Sequence, residues 1–133
     1  MKEVVNFLTA NPVQYLATQG EDGKPKVRPF MFSVEREGRL WFCTNVEKDV
    51  YKQLQKNPWV EVCVSDPSFA WLRLSGRAVF EDNRDVKEAC MGIPLVKGIY
   101  GAADNPIFTV FYLAEAQAVL ADFSGQPPKS YNL

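Results

Sequence analysis

Val60-Glu61-Val62-Cys63-Val64-Ser65, then Asp66-Pro67-Ser68, then Ala70-Trp71-Leu72-Arg73-Leu74-Ser75-Gly76-Arg77-Ala78-Val79-Phe80-Glu81: two alternating runs around one turn decide the fold. Strict apolar/polar alternation marks a strand with one buried face, and Asp-Pro-Ser is turn chemistry. In the second run Leu72, Leu74, Ala78 and Phe80 share one face, and Trp71, Arg73, Ser75 and Arg77 share the other. Gly76 reads as a bulge within it.

Outward from this hairpin the same grammar continues. Val13 to Thr18 and Pro25 to Val34 flank Gly20-Glu21-Asp22-Gly23, a hairpin turn. Leu40 to Thr44 forms a further strand after Arg36-Glu37-Gly38-Arg39, and Ile107 to Leu113 and Gln117 to Phe123 read as two closing strands. Val4, Phe7, Leu8 and Asn11 fit one helical face, stopped at Asn11-Pro12. Val46 to Asn57 is helical up to Pro58, and Arg84 to Met91 forms a third helix. Gly92 to Pro106 reads as loop with helical turns, and the tail from Ser124 as an extended surface segment over this chain or a partner. Some seven short strands with a few short helices predict an all-β dominated chain, a closed or split antiparallel barrel, because closure removes exposed edges.

A chain of 133 residues, 47% apolar, forms one domain spanning 1–133. Fifteen basic and 16 acidic residues give a net charge of −1, which speaks against nucleic acid as a partner. The single-stranded nucleic-acid barrel, the rival binding class, is weakened on the same ground. No apolar run reaches membrane-span length and the start lacks a signal-peptide pattern, so a cytoplasmic location is expected. Cys43, Cys63 and Cys90 are odd in number, widely spaced and without a C-x-x-C pair, and read as buried or idle thiols, not a disulfide framework or zinc site. The chain has no histidine. Imidazole acid-base chemistry and His-ligated metals are therefore excluded, no side chain is expected to be catalytic by itself and no metal is expected. Chemistry here falls to a bound cofactor.

Three segments offer ligand chemistry. Leu40-Trp41-Phe42-Cys43-Thr44-Asn45-Val46-Glu47-Lys48 runs from strand into helix, where open N–H groups, the helix dipole and Lys48 suit a phosphate. Thr44-x-x-Glu47 equally reads as a capping box. Lys48, Lys52 and Lys56 stack along one helical face, either solvated or with Lys48 joining an anion. Arg28-Pro29-Phe30-Met31-Phe32 places a proline where strand pairing stops, freeing backbone for a planar ring such as an isoalloxazine, or simply marking an edge strand. Trp71, Arg73 and Arg77 suit either a flat anionic ligand or partner, or arginines paired with Glu81 or Asp82.

Lys26-Val27-Arg28-Pro29-Phe30, Leu40 to Asn45, Gln53-Leu54-Gln55-Lys56-Asn57-Pro58-Trp59-Val60 and Leu74-Ser75-Gly76-Arg77-Ala78 together resemble the pyridoxamine 5'-phosphate oxidase-like superfamily, and within it the short Nim-like proteins. The resemblance implies a split barrel with an FMN site at the interface of a homodimer, deazaflavin being the competing cofactor. By position, Arg28, Phe30 and Met31 would line the ring and ribityl chain, with Pro29 and Cys43 also among the cofactor-binding residues. Thr44, Asn45 and Lys48 would hold the phosphate region, and Trp71, Arg73 and Arg77 would approach from the neighbouring subunit. It further implies an FMN-dependent oxidoreductase passing hydride or electrons from a nicotinamide donor to a small acceptor, or a flavin carrier or sensor without turnover. Two departures narrow this. Lys48-Asp49-Val50 replaces the oxidases' Ser-Arg-Lys run, and neither their C-terminal Arg-x-His element nor the histidine of nitroimidazole-reducing relatives is present. Pyridoxamine phosphate oxidation is accordingly not expected, and nitroimidazole reduction is not carried over.

Overall fold

In the computed structural model, which describes residues 1–133, the chain runs α1 (Lys2–Ala10), β1 (Gln14–Gln19), β2 (Pro25–Phe30), β3 (Phe32–Arg36), β4 (Arg39–Asn45), α2 (Asp49–Lys56), β5 (Trp59–Ser65) and β6 (Trp71–Phe80). It continues through α3 (Arg84–Cys90), α4 (Pro94–Tyr100), β7 (Phe108–Ala121) and β8 (Lys129–Asn132). Prolines set the boundaries. Asn11 (φ −128°, ψ 76°) ends α1 and Asn57 (φ −139°, ψ 104°) ends α2, each pushed out of helical geometry by the proline that follows.

The strands form one antiparallel sheet in the order β2-β1-β5-β6-β7-β4-β3, with β8 added beside β7. The two ends of that order, β2 and β3, are sequence neighbours separated by Met31 alone. A sheet whose opposite ends are joined by one residue must roll on itself, and β2 and β3 do not pair, so the barrel is split along a seam at Met31. The sequence predicts one strand over Pro25 to Val34; it is two, because the chain changes sheet edges at Met31.

Inside the barrel, Leu16, Phe42, Val62, Leu72, Leu74 and Phe111 are all sealed from solvent. Phe42 stacks on Phe111 at 5.5 Å, and Phe30 and Phe80 lie 6.0 and 5.0 Å from Phe111. A second, smaller core outside the sheet packs Trp41 and Val110 against Val86, Cys90, Val96 and Tyr100 of α3 and α4.

Three further expectations change. The two closing strands are one continuous β7, which pairs with β4 near its start, with β8 near its end and with β6 along its length. The bulge lies in β7, opposite Gly76: Ser75 faces Gln117 and Arg77 faces Ala114, so β7 holds the extra residue and Glu115 takes φ 52°. A Cβ at Gly76 would come within 3.0 Å of Leu113 Cβ and 3.1 Å of the Ala114 carbonyl, so close approach requires the glycine. The tail is the expected extended surface segment and lies over this chain: it folds back as β8, where Tyr131 donates to Glu3 and joins it to α1. Within the expected loop, α4 forms with Pro94 at its first position. No helix is long and apolar enough to cross a membrane.

Candidate functional site

At the seam, the parting of β2 from β3 leaves a cleft of about 310 Å³. Pro29, Phe30 and Met31 form one wall, Cys43 and Lys48 a second, and Gln14 the third, with α4 supplying Leu95, Val96, Ile99 and Tyr100. The inner surface is closed by Gln14, Val96 and Tyr100, all buried, whereas Val13, Leu95 and Ile99 on the rim are 69, 64 and 62% exposed. The cleft is thus largely apolar and carries one cation, Lys48. A larger groove of about 430 Å³ beside α1 sets Glu3, Asp66 and Asp122 against one cation, Lys129, so its net negative charge disfavours an anion.

Five of the residues expected to bind the cofactor, Pro29, Phe30, Met31, Cys43 and Lys48, therefore meet in one cleft. Arg28 and Thr44 lie nearby without lining it. The Arg28 guanidinium donates to the Leu16 carbonyl (3.2 Å), Thr18 Oγ1 (2.8 Å) and Gln53 Oε1 (2.6 Å), bracing β2 against β1 and α2. Burial pushes its pKa down and the Asp49 carboxylate at the start of α2 opposes that.

Around Thr44 the capping box does not form. Asn45 Oδ1, not Thr44, accepts from the Glu47 N–H (3.0 Å), and the helix begins only at Asp49 with Lys48 as an N-cap that makes no side-chain bond. Two consequences favour an anion. The Thr44 hydroxyl is buried with no hydrogen-bond partner, and the Asp49 and Val50 N–H groups have no partner in the chain. Asn45 is fully engaged, since its Nδ2 also donates to Tyr100 Oη at 3.0 Å and so fixes α4 on β4. Tyr100 thereby accepts one bond and keeps its own O–H proton available, and burial raises its pKa.

Trp71, Arg73 and Arg77 are not brought to the cleft; they occupy the outer face of β6. Arg73 pairs with Glu61 (4.0 Å) and Arg77 with Glu115 (3.0 Å), instead of Glu81 or Asp82, which pair with Arg39 and Lys87. Trp71 packs against Phe123 at 5.2 Å. Along α2, Lys56 pairs with Glu21 while Lys48 faces the cleft, so the lysine stripe divides.

Sequence reading missed Gln14 and Tyr100. Gln14 was legible in principle, because it shares the inward parity of Leu16 and Thr18 in β1. Its Nε2 donates to the Leu8 (2.9 Å) and Asn11 (3.1 Å) carbonyls and its Oε1 accepts from the Phe32 N–H (2.8 Å), tying both sides of the seam to α1.

Residues 1–121 match the family model described as pyridoxamine 5'-phosphate oxidase. The chain belongs to the pyridoxamine 5'-phosphate oxidase family. Among solved structures of this fold, it is similar to a NimC/NimA family protein from Clostridium acetobutylicum, at 35% identity and TM-score 0.91, covering 100% of this chain and 92% of that one. The fold is shared with a protein related to general stress protein 26 from the same organism (21% identity, TM-score 0.75, covering 99 and 93%). It is also shared with a pyridoxamine 5'-phosphate oxidase-related, FMN-binding protein from Nostoc punctiforme (16%, TM-score 0.62, covering 99 and 95%). No curated protein sequence matches the chain. The Nim-like resemblance within the pyridoxamine 5'-phosphate oxidase family is borne out by the first of these structures.

Proposed function

We propose that the seam cleft holds FMN in a homodimer and that the protein is an FMN-dependent oxidoreductase, taking hydride or electrons from a nicotinamide donor and passing them to a small acceptor. The observation that carries this reading is an apolar cleft with Lys48 in its wall and the open Asp49 and Val50 N–H groups next to it in the chain; the unpartnered Thr44 hydroxyl is buried one residue from Cys43 of that wall. A buried hydroxyl without a partner is costly unless a ligand or water supplies one. FMN, when bound, supplies the redox chemistry, which agrees with a chain that has no histidine.

The chain's own residues then have distinct tasks. Phe30 and Met31 offer apolar surface to a flat ring, and Pro29, lacking an N–H, leaves pairing open at the strand end. Tyr100 donates its free O–H into the slot, positioned by Asn45. Lys48, Thr44 and the α2 N–H groups receive the phosphate. Arg28, Asn45 and Cys43 act chiefly as walls and struts. At about 310 Å³ the cleft is at the small end of the usual 300–1,000 Å³ of ligand sites, and its rim is apolar. A second subunit would complete it. Two-fold pairing that lays the Trp71, Arg73 and Arg77 face of one subunit over the cleft of the other builds two equivalent sites.

The purified protein should be yellow and should bind FMN near one per subunit. Lys48→Ala should weaken FMN about 10- to 150-fold, from about 1.5–3 kcal/mol for a charge-assisted contact, and leave riboflavin unchanged. A colourless protein that does not quench FMN fluorescence sinks the reading. Deazaflavin binding in place of FMN would change the cofactor. Stable binding without bleaching by NADH or NADPH would leave the carrier or sensor.

A further inference from the structure

Where the end of β4 meets the end of α4, Asn45 and Tyr100 are only 9 and 8% exposed, and hydrogen-bond chemistry fixes the direction of the bond between them. The Glu47 backbone N–H can only donate, and it donates to Asn45 Oδ1 at 3.0 Å. That settles which end of the amide is oxygen. Asn45 Nδ2, which also can only donate, is therefore the atom 3.0 Å from Tyr100 Oη. The tyrosine oxygen accepts this bond, so its own proton must point elsewhere, and no acceptor in the chain receives it.

The rest of the residue is held as firmly. The Tyr100 ring packs on Phe108 at 4.7 Å. Its carbonyl accepts from Asn105 Nδ2 at 2.9 Å, and Asn105 Oδ1 in turn accepts the Ile107 N–H at 3.0 Å. Two asparagines, each oriented by a backbone N–H, thus clamp both ends of a side chain that lines the seam cleft opposite Phe30 and Met31. Burial raises the Tyr100 pKa against the opposing bond from Asn45, so the hydroxyl keeps its proton at neutral pH. A buried donor with no acceptor is costly unless a ligand supplies one.

We propose that Tyr100 is a specificity-determining donor in the seam cleft, selecting flat aromatic ligands that carry a carbonyl oxygen, with Asn45 as the positioning residue that sets its polarity. This rests on the reading of the cleft as a ligand site and deepens it, but does not require the ligand to be a flavin. The apolar walls suit any flat ring; the hydroxyl discriminates among rings, because a ligand carbonyl pairs with it and a ligand C–H leaves it unpaired. Two sources offer such an oxygen, the ring of a bound flavin and a second small molecule. One atom reverses the polarity. In Asn45→Asp the ionised carboxylate has no donor, so one oxygen accepts from the Glu47 N–H and the other from Tyr100, which then turns lone pairs to the cleft.

Three uncharged bicyclic probes test this: naphthalene, which has no polar group, chromone, which has a carbonyl acceptor, and 2-naphthol, which has a hydroxyl donor. In the wild type, the infrared carbonyl stretch of bound chromone should lie below its value in hexane, the signature of an accepted hydrogen bond. In Tyr100→Phe that lowering should disappear and chromone should bind about 2- to 12-fold more weakly, the span of one neutral hydrogen bond, while naphthalene binds as before. In Asn45→Asp chromone should weaken similarly and 2-naphthol should tighten. The proposal is overturned if chromone does not bind, if its stretch stays at the hexane value, or if Tyr100→Phe keeps both the affinity and the lowered stretch. The wild-type spectrum decides even if a variant fails to fold. A protein that passes these tests yet binds no FMN keeps the donor and loses the flavin. Where FMN binds, displacement of chromone makes the flavin ring the source of the oxygen, and chromone bound beside FMN makes it a second molecule.

Discussion

Gln14→Glu is an isosteric change at a sealed position, and its effect can be worked out from three hydrogen bonds. In the native chain Nε2 donates to the Leu8 and Asn11 carbonyls and Oε1 accepts from Phe32, with no exposure to solvent. An ionised glutamate would set an oxygen against two carbonyl oxygens with no water nearby, so the folded protein keeps this carboxyl protonated. Protonated, it offers one O–H where the amide offered two N–H groups. At low pH the deficit is therefore one lost bond, about 1 kcal/mol. The folded-state pKa lies above the unfolded value of about 4.3. For a raised folded pKa, stability is fully present below the unfolded pKa and is lost as pH rises. The loss proceeds at about 1.4 kcal/mol per pH unit, reaching about 4.4 kcal/mol more by pH 7.5 if the folded pKa stays above that. Urea unfolding of the variant and wild type at pH 4.5, 6 and 7.5 checks this. Gln14→Leu serves as the control, with a deficit independent of pH. A Gln14→Glu deficit that is flat across this range, or that shrinks as pH rises, refutes the reasoning about the seam.

Thr44→Val should make the ligand-free protein more stable by about 1 kcal/mol in urea, because it removes an orphaned buried hydroxyl, while weakening FMN; stability and affinity falling together would contradict a ligand role. Gly76→Ala should lower stability by about 1–3 kcal/mol, or roughly 3–15 °C in a thermal scan, because its Cβ meets backbone that cannot retreat. In contrast, Gly98→Ala within α4, with nothing within 4 Å, should gain about 0.5–1 kcal/mol, and equal effects at the two glycines would rule out the close-approach account. Light scattering should report twice the chain mass, and Arg73→Glu should loosen dimer and flavin together; a wild type that is monomeric at micromolar concentration yet binds FMN tightly would place the whole site within one chain.

The strands from Trp59 to Phe80 and both early helices were legible because alternation and pre-proline stops act within a few residues. The seam was not. Arg28-Pro29-Phe30-Met31-Phe32 reads as one strand locally, and only the pairing of β2 with β1 and of β3 with β4 splits it at Met31. Glu115 likewise looks like a break between strands, whereas β6 runs opposite it without interruption and turns the break into a bulge. At the cleft, Pro29, Phe30, Met31, Cys43 and Lys48 were reached through motif order. Tyr100 was hidden in a segment dense with glycine and proline, where helix propensity is low and α4 is held instead by packing of Val96 and Tyr100 on Trp41.

The single-residue joint at Met31 also has a consequence in time. Hairpins β1–β2, β3–β4 and β5–β6 are local and can form early, but β4 meets β7 by pairing Asn45 with Phe108, and the ring closes only when such distant pairs are made. Long-range closure of this kind is slow to nucleate. The cleft draws its walls from residues 12–14, 29–31, 43–48 and 95–100, so it does not exist until closure is complete. Any molecule that occupies it meets only the finished barrel, and so should leave the refolding rate unchanged while slowing unfolding.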